Sequence, residues 1–141
     1  MLVDKVLYCA HVKATAGRDI RTVSSDGVLN LKVTRPRELG GRSGRGTTPE
    51  HLFAASYAAS FLGIMRVVAR CDDIDLPIGA EVEASVGVGS AAQGFGIEVE
   101  LRIYLPGLPR AEADLLVEKS HALCPYSNAV RGNVSVLLVF A

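Results

Sequence analysis

Three cysteines are the residues of this chain best suited to covalent chemistry: Cys9, Cys71 and Cys124. An odd, widely spaced set without a Cys-x-x-Cys pair argues against a secreted disulfide scaffold and a structural zinc site, and favours a reducing cytoplasm. Cys9 lies in an alternating segment and Cys71 ends an apolar one, so both are expected to be small packed or semi-exposed side chains. Cys124 precedes Pro125 at the start of a short predicted helix, where free N–H groups favour a thiolate. It is therefore the candidate reactive thiol.

Other motifs that carry chemistry are weak in this sequence. The histidines His11, His51 and His121 are scattered and lack the spacing of metal ligands. The segment 40–47 (GGRSGRGT) is rich in glycine but has no phosphate-loop lysine and no strand directly before it. Ser60 does not lie in the Gly-x-Ser-x-Gly turn of a hydrolase, and no adjacent base is identifiable. The sequence thus predicts neither a metal site nor a phosphate-binding loop.

The charge balance and hydropathy limit the partners that this chain is expected to have. Lysine and arginine number 15, as do aspartate and glutamate, so the formal net charge is zero. Such a chain lacks the attraction expected of a nucleic-acid or anionic-membrane binder. The first 13 residues have no apolar core long enough for a signal peptide, and the uncharged apolar run 52–65 is too short to span a bilayer. With 49% hydrophobic and 21% charged residues, the chain is expected to form one globular domain over 1–141.

The hydropathy pattern predicts an α+β protein with mainly antiparallel sheets, in the order βββ–α–ββ–α–α–β. The predicted strands are 4–13, 19–24, 28–34, 80–89, 96–105 and 133–140. The helices are predicted at 49–71, at 109–123 and, as a short turn, at 124–130. A turn at Ser25-Asp26-Gly27 joins two strands, since glycine accepts the positive φ of a tight hairpin, and one long loop covers 35–47.

The first predicted helix must be covered on all sides. Thr48 is a plausible N-cap, Pro49 suits the first helical position, and Glu50 complements the helix dipole. Over 52–65 the helix is apolar on every face and contains several small residues, so neighbouring elements are expected to approach it closely. A chain of 141 residues would struggle to wrap such a helix alone. An intertwined dimer would cover it.

Four segments resemble the organic hydroperoxide resistance proteins, a branch of the family that also contains the osmotically induced OsmC-type proteins. The segments 47–63 (TTPEHLFAASYAASFLG) and 121–133 (HALCPYSNAVRGN) are similar to its two signature regions. The segments 15–27 and 31–41 resemble its N-terminal hairpin, so the match covers nearly the whole chain in order. The resemblance implies an OsmC/Ohr-like fold, with antiparallel sheets wrapped around a long buried central helix in an intertwined homodimer.

The resemblance also implies a thiol peroxidase without metal or prosthetic group. In that family a peroxidatic cysteine attacks the distal oxygen of an organic hydroperoxide and becomes a sulfenic acid, and a resolving cysteine then closes a disulfide. A dithiol, such as a lipoylated protein, reduces that disulfide by exchange. Carried onto this chain, the resolving cysteine matches Cys124, while Arg18 and Glu50 match the arginine and glutamate of the polar network around the first sulfur. An apolar lining by Leu52, Phe53 and Phe61 would favour an alkyl or aryl tail.

The peroxidatic cysteine of the family falls at Ser60 in this chain. A serine hydroxyl forms neither a sulfenic acid nor a disulfide, so the chain as written is expected to lack the peroxidase cycle. One interpretation is the replacement of a catalytic thiol, and the other is a naturally non-catalytic homologue that binds apolar ligands. We favour replacement because Arg18, Glu50 and Cys124 are all kept. A third interpretation leaves Cys124 alone to form mixed disulfides. The spacing of Glu50 and Ser60 does not place them on one helical face.

Overall fold

The computed structural model describes residues 1–42 and 44–141, which form two compact units, Met1–Leu52 and Phe53–Ala141. Ser43, in the predicted loop 35–47, lies outside the described residues. The elements follow the expected order, with an additional short 3₁₀ helix at Arg37–Leu39. That the chain is one domain stays a prediction, and the two units are described separately below.

The first unit contains a three-stranded antiparallel sheet of β1 (Val12–Ala16), β2 (Ile20–Ser24) and β3 (Asn30–Val33). The predicted hairpin turn joins β2 to β3, with Gly27 at a φ of 74°. The Asp26 carboxylate accepts hydrogen bonds from the Ser24 hydroxyl and from the Val28 N–H, and these bonds lower the pKa of Asp26. The turn is therefore held by its own side chains, as its sequence predicted.

The prediction of a first strand over 4–13 is wrong at its N-terminal end. Residues 4–11 are not in a strand, and β1 begins only at Val12, where pairing with Ser24 of β2 starts. The alternation of 4–13 is real, but a strand needs a partner for its N–H and C=O groups. Residues 1–11 are all exposed in the single chain, including Leu7 at 88% and Tyr8 at 84%.

The second unit contains a sheet of β4 (Glu81–Ala91), β5 (Gly94–Tyr104) and β6 (Val136–Phe140). The predicted β4–β5 hairpin is antiparallel, with Glu81 opposite Tyr104. Strand β6 is the exception in sheets that are otherwise antiparallel, as mainly predicted, because it pairs with β5 in parallel, Val99 opposite Val136. Two helices, α2 (Arg110–Leu123) and α3 (Pro125–Val130), connect these strands. They supply the crossover that a parallel pair requires.

Helix α1 (Pro49–Cys71) has 23 residues and begins as predicted. The Thr48 hydroxyl accepts a hydrogen bond of 3.1 Å from the His51 N–H, which satisfies one of the free donors of the first turn. One face of α1 is buried at turn spacing and enters a core with β5 and α2. The buried members from α1 are Tyr57, Phe61, Met65, Val68 and Ala69. Phe61, an expected pocket residue, is fully buried in this core.

The opposite face of α1 is exposed in the single chain. Ala55, Ala59, Gly63 and Val67 follow one another at a spacing of four residues, and all are exposed. The expected burial on every face is thus not reached within one chain. By length and composition alone, α1 could also cross a membrane, and 28% of its most apolar 18-residue stretch is buried. The expectation from the 14-residue run was wrong on length, because the helix extends beyond that run at both ends.

Candidate functional site

Ser60 and Cys124, which are 64 positions apart in sequence, are in contact in the second unit. The Ser60 Oγ lies 3.8 Å from the Cys124 Sγ. Ser60 is half-buried on α1, whereas Cys124 is completely buried. The contact brings together the two positions that the family resemblance implied for the peroxidatic and resolving cysteines. In the part of the chain described, the partner of the Ser60 hydroxyl is this thiol rather than a base that would activate it.

Cys124 is held at the junction of two helices. It follows the last residue of α2 and is the N-cap of α3, in extended backbone conformation, as the following Pro125 requires. Its N–H donates to the Ser120 carbonyl at 2.8 Å, and its own carbonyl accepts from the Asn128 N–H at 2.9 Å. The backbone on both sides is therefore fixed. The predicted position of Cys124 at a helix start is confirmed.

A second polar contact, absent from the sequence prediction, lies near the first. The hydroxyls of Tyr57 and Ser127 share a hydrogen bond of 2.8 Å, and the Ser127 Oγ lies 2.9 Å from the Nδ1 of His121. Tyr57 and Ser127 are completely buried. A buried tyrosine usually finds a hydrogen-bond partner, which was the available signal, but nothing in the sequence identifies a partner 70 positions away.

The electrostatics of this network follow from burial and one arginine. Burial raises the pKa of Tyr57 and the hydrogen bond with Ser127 opposes that shift, while weaker electrostatic effects of Cys124 and Arg131 act in opposite directions. Burial and the Arg131 charge lower the pKa of His121. The Arg131 guanidinium donates to the His121 carbonyl at 2.8 Å and to the Asn128 side chain. Arg131 thus ties the end of α3 to α2.

Two aromatic rings pack against the Tyr57 side chain. The Tyr126 ring stacks on it at a centroid distance of 5.9 Å, and the Phe53 ring meets it edge-on at 6.2 Å. Such pairs add to the stability gained by burying the rings. Tyr57 is therefore fixed both by packing and by its hydroxyl.

Arg18 and Glu50, the other two predicted site residues, lie in the first unit. Arg18 is exposed at the bend between β1 and β2, and it forms none of the ion pairs found among the described residues. The Glu50 Oε2 atom is buried and has no hydrogen-bond partner within residues 1–42 and 44–141. Glu50 lines a cavity of about 280 Å³ whose other walls are mostly apolar. The implied Arg18–Glu50 pair stays a prediction.

The remaining candidates form no further centre in the described residues. Cys9 and Cys71 are exposed free thiols. Within the described ranges, no three His, Cys, Asp or Glu side chains are grouped so that they could bind a metal ion. The second unit therefore offers one compact polar site, built around Cys124.

This chain is similar to organic hydroperoxide resistance proteins in sequence and in structure. The model of the OsmC-like protein family matches residues 41–138. The organic hydroperoxide resistance protein of Xanthomonas axonopodis pv. citri is 55% identical over 138 residues, covering 98% of this chain and 97% of the relative. OhrA of Bacillus subtilis, which carries the same description, is 37% identical over 140 residues, covering 99% of each chain.

Solved structures of organic hydroperoxide resistance proteins are also similar to this chain. The organic hydroperoxide resistance protein of Legionella pneumophila superposes with a TM-score of 0.90 at 43% identity, covering 97% of this chain and 99% of that one. OhrB of Bacillus subtilis gives a TM-score of 0.86 at 38% identity, covering 96% and 100%.

The fold and the site define a small α+β protein with two three-stranded sheets, a long central helix and a buried thiol beside a residue of that helix. This chain belongs to the OsmC-like protein family. The resemblance found in the sequence is confirmed, and the named relatives support a role in organic hydroperoxide resistance.

Proposed function

We propose that this chain has the scaffold of a thiol-dependent peroxidase that reduces organic hydroperoxides to alcohols, and that Ser60 stands where the attacking cysteine belongs. The observation that carries the proposal is the 3.8 Å separation between the Ser60 Oγ and the Cys124 Sγ. A sulfur at position 60 would need to approach Cys124 by less than about 2 Å to form an S–S bond of about 2.05 Å.

The proposed cycle has three balanced steps. A thiolate at position 60 attacks the distal oxygen of the hydroperoxide, the O–O bond breaks, and the alkoxide takes a proton to leave as the alcohol. The resulting sulfenic acid reacts with the Cys124 thiol, forming a disulfide and releasing water. A dithiol then reduces the disulfide by exchange and is itself oxidised. A lipoylated protein is our candidate for this reductant.

Serine at position 60 blocks the first step, because its oxygen cannot accept a further oxygen atom to give a sulfenic acid. The present chain is therefore proposed to be an inactive form of this scaffold. Cys124 alone would be left with a hydroxyl 3.8 Å away and no sulfur to pair with.

Arg18 and Glu50 are proposed to serve the same reaction. A guanidinium presents a rigid set of donors and keeps its charge, so Arg18 suits the stabilisation of a thiolate and of the leaving alkoxide. The buried, unpartnered Oε2 of Glu50 supports a role in holding a cation, since a buried carboxylate oxygen needs a donor. The family resemblance supplies these roles.

We also propose that the working form is a homodimer in the cytoplasm. Residues 1–11 expose several large apolar side chains, with Leu7 at 88% and Tyr8 at 84%. Several exposed apolar side chains within one short segment are typical of a protein interface. The three free cysteines suit a reducing compartment.

The test is the Ser60→Cys variant, assayed for consumption of tert-butyl hydroperoxide with a dithiol as reductant. We expect turnover that stops when the dithiol is omitted. The matched control is Ser56→Cys, which places a thiol one helical turn away on α1, where the native hydroxyl donates to the Phe53 carbonyl instead of meeting Cys124. Ser56→Cys is expected to stay inactive. A folded Ser60→Cys protein without turnover would reject the proposal, and a lipid retained through native purification would then favour an apolar-ligand binder.

A further inference from the structure

Two contacts connect α1 to the α2–α3 junction. The two contact residues of α1 are three positions apart, and so are their partners at the junction. Tyr57 precedes Ser60 by three residues on α1, and Ser127 follows Cys124 by three residues at the start of α3. The Tyr57–Ser127 hydrogen bond is 2.8 Å and the Ser60–Cys124 contact is 3.8 Å. Residues three apart on a helix are neighbours on one face. The hydrogen bond thus lies one helical turn from the proposed disulfide position.

The Ser127 hydroxyl has one hydrogen and two partners, so the direction of the hydrogen bonds depends on which ring nitrogens of His121 carry hydrogen. With neutral His121 accepting at Nδ1, Ser127 donates to His121 and Tyr57 donates to Ser127, so both hydroxyl hydrogens have an acceptor. A protonated His121 would have to donate to Ser127, which would then donate to Tyr57. The Tyr57 O–H would be left without an acceptor among the described residues. The complete network therefore requires neutral His121 with no hydrogen on Nδ1.

We propose that Tyr57, Ser127 and His121 are positioning residues that hold the Cys124 thiol against position 60 and so favour formation of the disulfide there. This inference rests on the proposed function for the presence of a thiol at position 60. No residue of this set reacts. Each acts by fixing the turn that carries Cys124, and a sulfur that is held near its partner raises the effective concentration for bond formation.

The equilibrium between the two thiols and the disulfide can be measured without any peroxide. In the Ser60→Cys protein, two thiols and oxidised dithiothreitol exchange to give one disulfide and reduced dithiothreitol, with two electrons and two protons passing to the reagent. If the network holds the two sulfurs together, the disulfide and the network stabilise each other. Loss of a network hydroxyl then lowers the equilibrium constant for the disulfide, whereas a hydroxyl with a merely structural role stabilises both redox states equally.

The experiment compares three hydroxyl deletions in a Ser60→Cys background in which the exposed Cys9 and Cys71 are replaced by serine. Ser127→Ala and Tyr57→Phe remove the two ends of the hydrogen bond. Ser120→Ala is the matched control, because Ser120 is also completely buried but its hydroxyl donates to the Leu116 carbonyl within α2. Each protein is equilibrated with mixtures of oxidised and reduced dithiothreitol, and free thiols are counted by mass after alkylation.

We expect Ser127→Ala to lower the equilibrium constant by about fivefold and Tyr57→Phe by about threefold, the range of one hydrogen bond, with Ser120→Ala changing it by less than about twofold. Equal constants in all variants would overturn the inference even if Ser60→Cys turns over hydroperoxide. A folded Ser60→Cys protein that never forms the disulfide would overturn it as well. If Ser60→Cys forms the disulfide, lacks peroxidase activity and still shows the selective loss, the inference stands and the proposed function fails. Tyr57→Phe serves as the milder variant if Ser127→Ala does not fold.

Discussion

Two pairs of proposed site residues differ in whether the fold of the single chain brings their side chains into contact. Ser60 and Cys124 touch in the second unit, where three helices and a buried hydrogen bond fix both backbones. Arg18 and Glu50 lie in the first unit, one exposed on a bend and the other with an unpartnered buried oxygen. The first pair is assembled by packing within the chain. The second pair is not joined by any ion pair among the described residues.

The difference shows what close packing can and cannot do for a site. Side chains inside a core adopt one arrangement because their neighbours leave no other. An arginine on a surface bend has many rotamers, and a single exposed ion pair offsets little of the entropy lost in choosing one. A reaction that needs both pairs would therefore depend on a further event to order Arg18, such as substrate binding or association with a second copy.

The largest expected effect is the loss of peroxidase rate when Arg18 is removed, and it tests the contrast between the two pairs. In the Ser60→Cys background, Arg18→Ala is expected to lower the rate of reaction with tert-butyl hydroperoxide by about 10²–10³-fold, as loss of a transition-state donor does. Because Arg18 is exposed, the free energy of unfolding should change by less than about 0.5 kcal/mol. Stopped-flow measurement of the first turnover, together with urea unfolding, separates the two quantities.

Arg21→Ala is the matched control, because Arg21 is an exposed arginine on the neighbouring β2. It should leave both quantities nearly unchanged. Equal losses of rate in the two variants would show that Arg18 acts only through general positive charge. A loss of stability as large as the loss of rate would make Arg18 structural.

The sequence predicted what local chemistry decides and missed what distant contacts decide. The start of α1 was predictable because Thr48 and Pro49 act within one turn. The hairpin was predictable because Gly27 accepts the positive φ that its tight turn requires. The parallel pairing of β6 depends on a crossover of two helices, which no local pattern encodes. The contact of Ser60 with Cys124 came from the family resemblance, since helix spacing cannot relate residues on different elements.

The network around Ser127 was missed for the same physical reason. Its hydroxyl joins α1 to α2 through α3, and each link requires the tertiary structure. A hydropathy pattern can indicate that Tyr57 is buried. It cannot show which hydroxyl satisfies that tyrosine, because the candidate serines are equally polar in sequence.

A second test concerns the exposed segment of the first unit, where the effect should be intermediate. If residues 1–11 are covered in a homodimer, Leu7→Ala removes apolar contact and raises the dimer dissociation constant by about tenfold. Sedimentation velocity over a range of protein concentrations measures that constant. Ile78→Ala, at another fully exposed apolar residue in the second unit, is the control and should have no effect. A protein that stays monomeric at every concentration would contradict the proposed dimer.

The smallest predicted effect concerns His121 and the pH dependence of stability. Burial and the Arg131 charge lower the pKa of His121 below its ordinary value of 6.5 in the folded protein. Between the folded and the ordinary pKa, the unfolded chain binds more protons than the folded one, so stability rises with pH. The contribution is complete above pH 6.5 and is lost as the pH falls through the folded pKa of His121.

His121→Gln removes this titration and is therefore expected to flatten the rise in unfolding free energy with pH below 6.5, by less than the slope of one full proton, about 1.4 kcal/mol per pH unit. Urea unfolding at fixed protein concentration, repeated across this range, measures the slope. His51→Gln provides the control, because His51 is an exposed histidine of the first unit. If both variants keep the original slope, protonation of His121 does not oppose folding, and the requirement for a neutral imidazole beside Ser127 would be wrong. A change confined to His121→Gln would instead show that acid destabilises the fold through the network of Tyr57, Ser127 and His121.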